Sequence, residues 1–213
     1  RAERLHKQMQ IYAKNIHSLW LDKDNSLWLG LFLKGALHYI PHLNRTVDYN
    51  LLSEEVSSGF CIIEDKNDHV WYGGPSGLFL IDKKKANARP EKISPLRIFN
   101  LVQFNDSILW AGTRKGSMFQ INTRTLKVTS LPILPHTDLY VTYIYPDSHQ
   151  RIWIGTDNNG LYVSDRNGSI IASYSKEQLG SNAIKGIIED EMNNIWVGTG
   201  SGLCCINPQM ENI

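Results

Sequence analysis

The stretch RIWIGTDNNGLYVSD, residues 151–165, decides the fold. It places a tryptophan in a short apolar run, followed by Gly-Thr, three polar residues, Gly-Leu and a second apolar run. Four similar stretches begin at Ser26, His69, Ile108 and Asn194. The aligned tryptophans of the five copies are Trp28, Trp71, Trp110, Trp153 and Trp196. They are separated by 43, 39, 43 and 43 residues, and a near-constant period of this size indicates a repeat architecture.

Each copy predicts short antiparallel strands. In the fifth copy, residues 184–207, two apolar runs are joined by a turn rich in Asp and Asn, which is typical of a hairpin. A second glycine follows the Gly-Thr position in every copy, at Gly35, Gly77, Gly116, Gly160 and Gly202. Glycine there suits a turn with positive φ, and we expect the hydroxyls of Thr113, Thr156 and Thr199 to bond the backbone of that turn. The stretches TVDYN, EKISPL, LKVTSLP and IIASYSK predict a fourth, outer strand.

The recurring tryptophan is explained best by packing. In a radial stack of four-stranded sheets, a large aromatic side chain in the second strand fills the space between neighbouring sheets. The fold class predicted is therefore all-β, a β-propeller of about five four-stranded antiparallel blades. Residues 1–15 are a preceding strand or lead-in. Residues 16–213 form a single propeller domain, or a fragment of one.

Composition excludes several classes of partner. The 213 residues contain 22 Lys and Arg against 21 Asp and Glu, without long blocks of either sign, so we expect no nucleic-acid partner. No apolar run approaches the roughly 20 residues that span a bilayer, and we expect no direct membrane contact. Cys61, Cys204 and Cys205 have neither metal-ligand nor paired-disulfide spacing. We expect no metal and no cofactor.

The copies resemble the two-component regulator propeller repeat. Its blades read approximately as apolar-x-Glu-Asp, a polar turn, apolar-Trp-apolar-Gly-Thr, a gap, and Gly-Leu, and residues 187–203 (IIEDEMNNIWVGTGSGL) match almost position for position. The resemblance covers about residues 16–207. Departures are Leu31 and Gly74 in place of threonine, Ala36 and Ser117 in place of leucine, and the shortened turn FNDSI in the third copy.

The resemblance implies a receptor. In that family the propellers form the extracytoplasmic sensor portion of bacterial hybrid two-component proteins, usually as two seven-bladed propellers followed by a β-sandwich, a membrane span and a cytoplasmic kinase. Several members sense oligosaccharides. The chain is accordingly expected to be a periplasmic, non-enzymatic, ligand-sensing segment, with an oligosaccharide, the remaining blades of the same receptor and a second copy as its partners.

Five copies fit a seven-bladed family in two ways. The chain is either a segment of a larger propeller, which a start without methionine favours, or a ring closed as five blades. In the second case KQMQIYA, residues 7–13, would supply the missing outer strand of the last blade and cover an exposed edge.

Two other function classes remain open. The acid pairs Glu64-Asp65 and Glu189-Asp190 suggest a polysaccharide lyase or hydrolase, since glycoside hydrolysis needs two carboxyl groups about 5 to 9.5 Å apart. However, each aspartate is placed to begin a hairpin turn. The other class is a scaffold, in which the propeller serves only as a dimerisation surface.

Ligand contacts are not readable from the sequence alone. Trp20 and Tyr145 stand where other copies carry isoleucine, and Asp157, Asn158 and Asn159 lie in a loop that can reach solvent. Packing is the favoured explanation for the two aromatics and turn formation for the polar loop, so the ligand-binding residues stay unknown and no catalytic residue is assigned.

Overall fold

The computed structural model describes residues 15–49, 58–113, 117–131 and 140–210. Within these ranges the structure is almost entirely antiparallel β-sheet, in five sheets whose strands pair in chain order. The chain divides into two compact units, residues 1–98 and 99–213, which are described separately. The predicted lead-in strand and the KQMQIYA segment lie outside the described residues, and the boundary predicted for a single domain stays a prediction.

The first unit contains two four-stranded sheets. Sheet 1 is formed by β1 (Ile16–Leu21), β2 (Leu27–Leu31), β3 (Gly35–Ile40) and β4 (Arg45–Asp48). Sheet 2 is formed by β5 (Cys61–Glu64), β6 (His69–Gly74), β7 (Gly77–Asp82) and β8 (Glu91–Ser94). The strands β1 and β2 both lie against β5, so the two sheets pack face to face.

The second unit contains three sheets, the first of which begins at the boundary between the units. Sheet 3 is formed by β9 (Ile98–Asn105), β10 (Ile108–Thr113), β11 (Met118–Asn122) and β12 (Val128–Ser130). Sheet 4 is formed by β13 (Val141–Pro146), β14 (Ile152–Thr156), β15 (Leu161–Ser164) and β16 (Ile170–Tyr174). Sheet 5 is formed by β17 (Ile184–Glu189), β18 (Ile195–Thr199) and β19 (Leu203–Ile206).

The strand count agrees with the sequence pattern in all five sheets. Sheets 1 to 4 have the four strands expected, and the stretches predicted as outer strands form β4, β8, β12 and β16. Sheet 5 has three strands within the described residues, because the chain reaches Met210 without a further extended run after β19. The predicted fold class, all-β with five antiparallel sheets, is confirmed, including a last copy whose outer strand the sequence does not supply after β19.

Helical structure is short in the described part of the chain. A 3₁₀ turn, Pro41–Leu43, ends at Asn44 in a left-handed conformation. The helix α1, Lys176–Leu179, begins after Ser175 with a reciprocal capping box to Gln178. No helix there has both the length and the apolar character that a membrane crossing requires.

The tryptophans lie in the core between sheets. Trp28, Trp71, Trp110 and Trp153 have no solvent exposure, whereas Trp196 in sheet 5 is only half-buried. The second strands of the first four copies are buried over almost their whole length. The prediction that tryptophan fills the space between sheets is confirmed for Trp28, Trp110 and Trp153, each of which shares a buried cluster with the following sheet.

The first glycine of each copy permits this close packing. A Cβ atom on Gly112 would lie 2.6 Å from Val141 Cγ1, and one on Gly155 would lie 2.6 Å from Ile184 Cγ2. Val141 and Ile184 each begin the inner strand of the following sheet. In sheet 5 a Cβ on Gly198 would meet nothing closer than 3.8 Å. The glycine is therefore needed where another sheet follows in contact.

The Gly-Thr turn also forms as predicted. In sheet 4 the Thr156 hydroxyl donates to the carbonyl of Gly160 at 2.8 Å and accepts from the Asn159 backbone N–H at 2.9 Å. Gly160 has φ +80°, and a Cβ there would collide with the Tyr174 carbonyl oxygen at 2.2 Å. Thr113 and Thr199 make the equivalent bonds to carbonyl groups. Gly116 lies outside the described residues.

Candidate functional site

A recurrent aspartate connects each first hairpin turn to its tryptophan. In sheet 4 one carboxylate oxygen of Asp147 accepts from the backbone N–H groups of His149 and Arg151, at 3.0 and 2.8 Å. The other oxygen accepts from Trp153 Nε1 at 2.8 Å. The same pair, six residues apart, forms between Asp22 and Trp28, Asp65 and Trp71, and Asp190 and Trp196. The aspartates are thus structural, as the turn interpretation predicts.

The electrostatics agree with this role at the two aspartates where a shift is resolved. Hydrogen bonds from Asn194 and Trp196 lower the pKa of Asp190 to about 2. Burial opposes ionisation of Asp22, but hydrogen bonds from Lys83 and Ser26 outweigh it and hold its pKa well below the usual range. Both side chains are therefore anionic hydrogen-bond acceptors at neutral pH rather than proton donors.

The third copy lacks this arrangement. Phe104 stands six residues before Trp110, where the other copies have aspartate. Its ring lies 6.0 Å from the indole, centroid to centroid, and Trp110 Nε1 is buried with no hydrogen-bond partner in the described chain. The hairpin turn is shortened to Asp106 and Ser107, as the sequence indicates. A buried unpaired N–H costs about 1 to 3 kcal/mol.

The glutamate of each Glu-Asp pair has a different function from its neighbour. Glu189 reaches back from sheet 5 to the first turn of sheet 4, where it accepts from the Ser148 backbone N–H at 2.9 Å and hydroxyl at 2.6 Å. Glu64 likewise reaches from sheet 2 to sheet 1 and accepts from the Lys23 backbone N–H at 3.1 Å. The two acids of a pair therefore point to different sheets, and each glutamate joins consecutive copies.

An acidic cluster in the first unit is bridged by a lysine. Carboxylate oxygens of Asp22, Asp24 and Glu64 lie within 4.8 Å of one another, a spacing that suits a metal ion. Lys83 Nζ lies 2.9, 2.8 and 2.7 Å from these three carboxylates. Although burial opposes the charge, the three acids raise the lysine pKa above its usual range. Lys83 is therefore an ion-pair partner shared by all three acids.

A buried histidine completes this network. His38 Nε2 lies 2.6 Å from the Ser26 hydroxyl, which donates to Asp22 at 2.7 Å. The imidazole stacks on Trp28, with ring centroids 4.0 Å apart, and burial lowers its pKa to about 4. The serine lies between histidine and aspartate and is buried. This order of groups stabilises the turn and does not provide an accessible nucleophile.

The candidate ligand aromatics are half-buried packing residues. Trp20 packs against the cluster that contains Trp28 in the first unit. Tyr145 packs against the cluster that contains Trp153 in the second unit. Each of them therefore packs beside the core of its own unit.

The candidate polar loop has mixed roles. Asp157 accepts from the Tyr140 backbone N–H at 3.1 Å and so joins the loop to the start of its own sheet. Asn158 is exposed. Asn159 lines a groove of about 410 Å³ together with Tyr162, Tyr174 and Gln178. Only Asn159 of the three is placed at a cavity.

A second groove lies beside Phe104, which replaces the aspartate in the third copy. It has a volume of about 420 Å³, its apolar wall includes Phe104 and Ile108, and its polar wall includes Gln120, Thr129 and Arg166. The sequence analysis did not identify these residues as a group. The signal available was the replacement of aspartate by phenylalanine in one copy of five.

Comparison with known proteins supports the predicted resemblance. The family model for the two-component regulator propeller matches residues 136–158 and 178–201. A curated relative, histidine kinase P4 of Formosa agariphila, is 27% identical over 177 residues, which cover 74% of this chain and 13% of the relative.

Solved structures give the same fold. The extracellular domain of a protein described as a hybrid two-component system of B. thetaiotaomicron superposes with a TM-score of 0.74 and 24% identity, over 90% of this chain and 27% of that one. PorZ, a surface component of the type-IX secretion system of Porphyromonas gingivalis, also gives 0.74 at 16% identity, over 92% and 32%. The chain thus spans about a quarter to a third of these structures.

The five-copy pattern, the antiparallel sheets and these matches agree. The fold is a β-propeller, and residues 136–158 and 178–201 match the two-component regulator propeller repeat.

Proposed function

We propose that this chain is a non-enzymatic sensor segment of a hybrid two-component receptor, located in the periplasm and responsive to an oligosaccharide. The observation that carries the proposal is the match of two of its copies to the two-component regulator propeller repeat. The name of the curated relative and the extracellular origin of the B. thetaiotaomicron domain support it. In the complete protein, a kinase outside this chain would transmit the signal.

The recurrent acids support a sensor rather than an enzyme. Asp65 and Asp190 each accept from backbone and indole N–H groups, and the neighbouring glutamates accept from the preceding turn. A glycosidase needs one carboxyl group to protonate the leaving group and a second to act as base or nucleophile. Incubation with polysaccharides should release no new reducing ends and no unsaturated products, and turnover would overturn the non-enzymatic assignment.

Isothermal titration tests the sensor proposal. The propeller region of the complete protein that contains this chain should give saturable heat with one member of an oligosaccharide panel. Addition of that sugar to the full-length protein should change the rate of kinase autophosphorylation. Flat titrations across the panel, together with a concentration-dependent dimer, would favour the scaffold function instead.

We further propose that the open face of sheet 5 packs against another blade of the same receptor. Ile188, Met192 and Leu203 are 61%, 74% and 66% exposed there, and Gly198 occupies the position that contacts the following sheet in earlier copies. An apolar surface of this kind is typical of an interface. The alternative is that a second copy of the chain covers this face. The mass of the complete receptor region in solution distinguishes the two arrangements.

A further inference from the structure

The groove beside the third copy, lined by Phe104, Ile108, Gln120, Thr129 and Arg166, combines features of a ligand site. Its volume of about 420 Å³ falls within the range of roughly 300 to 1,000 Å³ that is typical of small-molecule pockets. The aromatic ring and Ile108 provide an apolar wall. Gln120, Thr129 and Arg166 also line the groove, and their amide, hydroxyl and guanidinium groups can donate hydrogen bonds.

The apolar wall exists because the third copy departs from the repeat. An aspartate in place of Phe104 would accept from Trp110 Nε1, as in the other four copies, whereas here that N–H is buried and unpaired within the described chain. The phenylalanine ring is half-buried and tilted 48° to the indole, so part of its surface remains available in the groove. The copy thus has an aromatic surface where the others have a stabilising hydrogen bond.

The charge at the edge of the groove is positive. The backbone carbonyl of Arg166 accepts from Gln120 Nε2 at 3.2 Å, which connects the β15–β16 turn to β11. The arginine side chain is exposed, and no carboxylate of the described residues forms an ion pair with it. A guanidinium group in this position can bind a carboxylate through two parallel hydrogen bonds.

We propose that this groove binds an acidic oligosaccharide, with one sugar ring stacked on Phe104 and a uronate carboxylate paired with Arg166. Gln120 and Thr129 then bond the sugar hydroxyls. The inference rests on the proposed sensor function and adds to it a location and a charge class. Electrostatic selection and stacking are separate contributions, so separate variants test them.

Titration of the 213-residue chain with tetragalacturonate and with neutral cellotetraose tests the proposal. We expect saturable binding of the acidic probe, at least tenfold tighter than the neutral one. Phe104→Asp should weaken binding at least tenfold while raising the melting temperature, because the new carboxylate gives Trp110 its acceptor. Phe104→Leu keeps an apolar side chain without the ring and should also weaken binding. It replaces the aspartate variant as the test of stacking if that variant does not fold.

Arg166→Gln should remove the preference for the acidic probe. Arg124→Gln, an exposed arginine in the β11–β12 turn outside the groove, is the matched control and should bind as the wild type does. Failure of tetragalacturonate to bind, or undiminished binding by the Phe104 and Arg166 variants, would overturn the assignment of this groove. The sensor function itself would fail only if the whole oligosaccharide panel gave no response.

Discussion

In most copies one aspartate carboxylate holds both the first hairpin turn and the tryptophan. Asp147 holds its hairpin turn with one oxygen and the Trp153 indole with the other, so the turn and the core residue are fixed together. Hydrogen bonds to charged groups contribute about 1.5 to 3 kcal/mol each. The tryptophan is therefore both a packing residue and a hydrogen-bonded one.

Truncation of a fully buried tryptophan tests this role. We expect Trp153→Ala to lower the free energy of unfolding by about 3 to 5 kcal/mol, because it leaves a large cavity and an unpaired Asp147. Trp196→Ala should cost less, because Trp196 is half-buried in sheet 5. Urea denaturation of both variants measures the difference, and equal losses would contradict the packing assignment.

The histidine network predicts sensitivity to acid. Burial lowers the pKa of folded His38 to about 4, against about 6.5 in an unfolded chain. The neutral ring is the form that the fold favours, so its stabilising contribution is complete above pH 6.5 and is lost as the pH falls towards 4. The loss amounts to at most about 3 kcal/mol, at 1.36 kcal/mol per pKa unit.

Urea denaturation at several pH values measures this loss. His38→Gln should flatten the decline of stability between pH 6.5 and 4, since glutamine does not titrate. His42→Gln changes an exposed histidine of the same sheet region and should leave the decline unchanged. Identical pH profiles for the wild type and His38→Gln would contradict the assignment.

Consecutive sheets within each unit are joined by contacts between residues at recurring positions of the repeat. The glycine of the second strand accepts close contact with the next inner strand, and in two joints the glutamate of the next sheet, Glu64 or Glu189, bonds the preceding turn. Inner strands add side-chain bonds, such as Thr142 Oγ1 to the Ile184 carbonyl at 3.0 Å. The joint therefore combines packing with polar contacts.

A matched pair of glycine substitutions tests the packing part of the joint. We expect Gly155→Ala to cost about 1 to 3 kcal/mol, because its Cβ would lie 2.6 Å from Ile184 Cγ2. Gly198→Ala occupies the same repeat position in sheet 5 without such a neighbour and should change stability little. Thermal unfolding measures both. Similar losses at the two sites would show that strand propensity, rather than close approach, sets the effect.

The sequence predicted what recurs locally and missed what depends on distant partners. Tryptophans, hairpin turns and the Gly-Thr turn follow from spacing within one copy. The bond from Glu189 to Ser148 spans 41 residues, and the contact of Lys83 with Asp22 spans 61, so neither can be read from a local pattern. The groove at Phe104 was missed for the same reason, since Arg166 comes from the following copy.

On the scale of the whole chain, exposed apolar side chains are unevenly distributed. Ile188 and Leu203 expose most of their side chains on sheet 5, in contrast to Ile187 and Val197, which are buried in the same sheet. Exposed apolar surface favours association. Solution behaviour should therefore depend on this sheet more than on the balanced charges of the chain.

Light scattering of the 213-residue chain tests this expectation. The wild type should increase in mean mass with concentration, and a double variant, Ile188→Lys with Leu203→Lys, should remain monomeric because charge opposes burial of that face. Ile171→Lys changes an exposed apolar residue of the outer strand β16 and serves as the control. Unchanged association in the double variant would place the contact elsewhere.

The regular spacing of the joints has an evolutionary consequence. Because both glutamate bonds span 41 residues and the inner-strand bonds span 41 or 42, gain or loss of one whole copy of this length keeps the spacing that these bonds require. Receptors built this way can lengthen by unequal recombination while single copies, such as the third, diverge to acquire new chemistry.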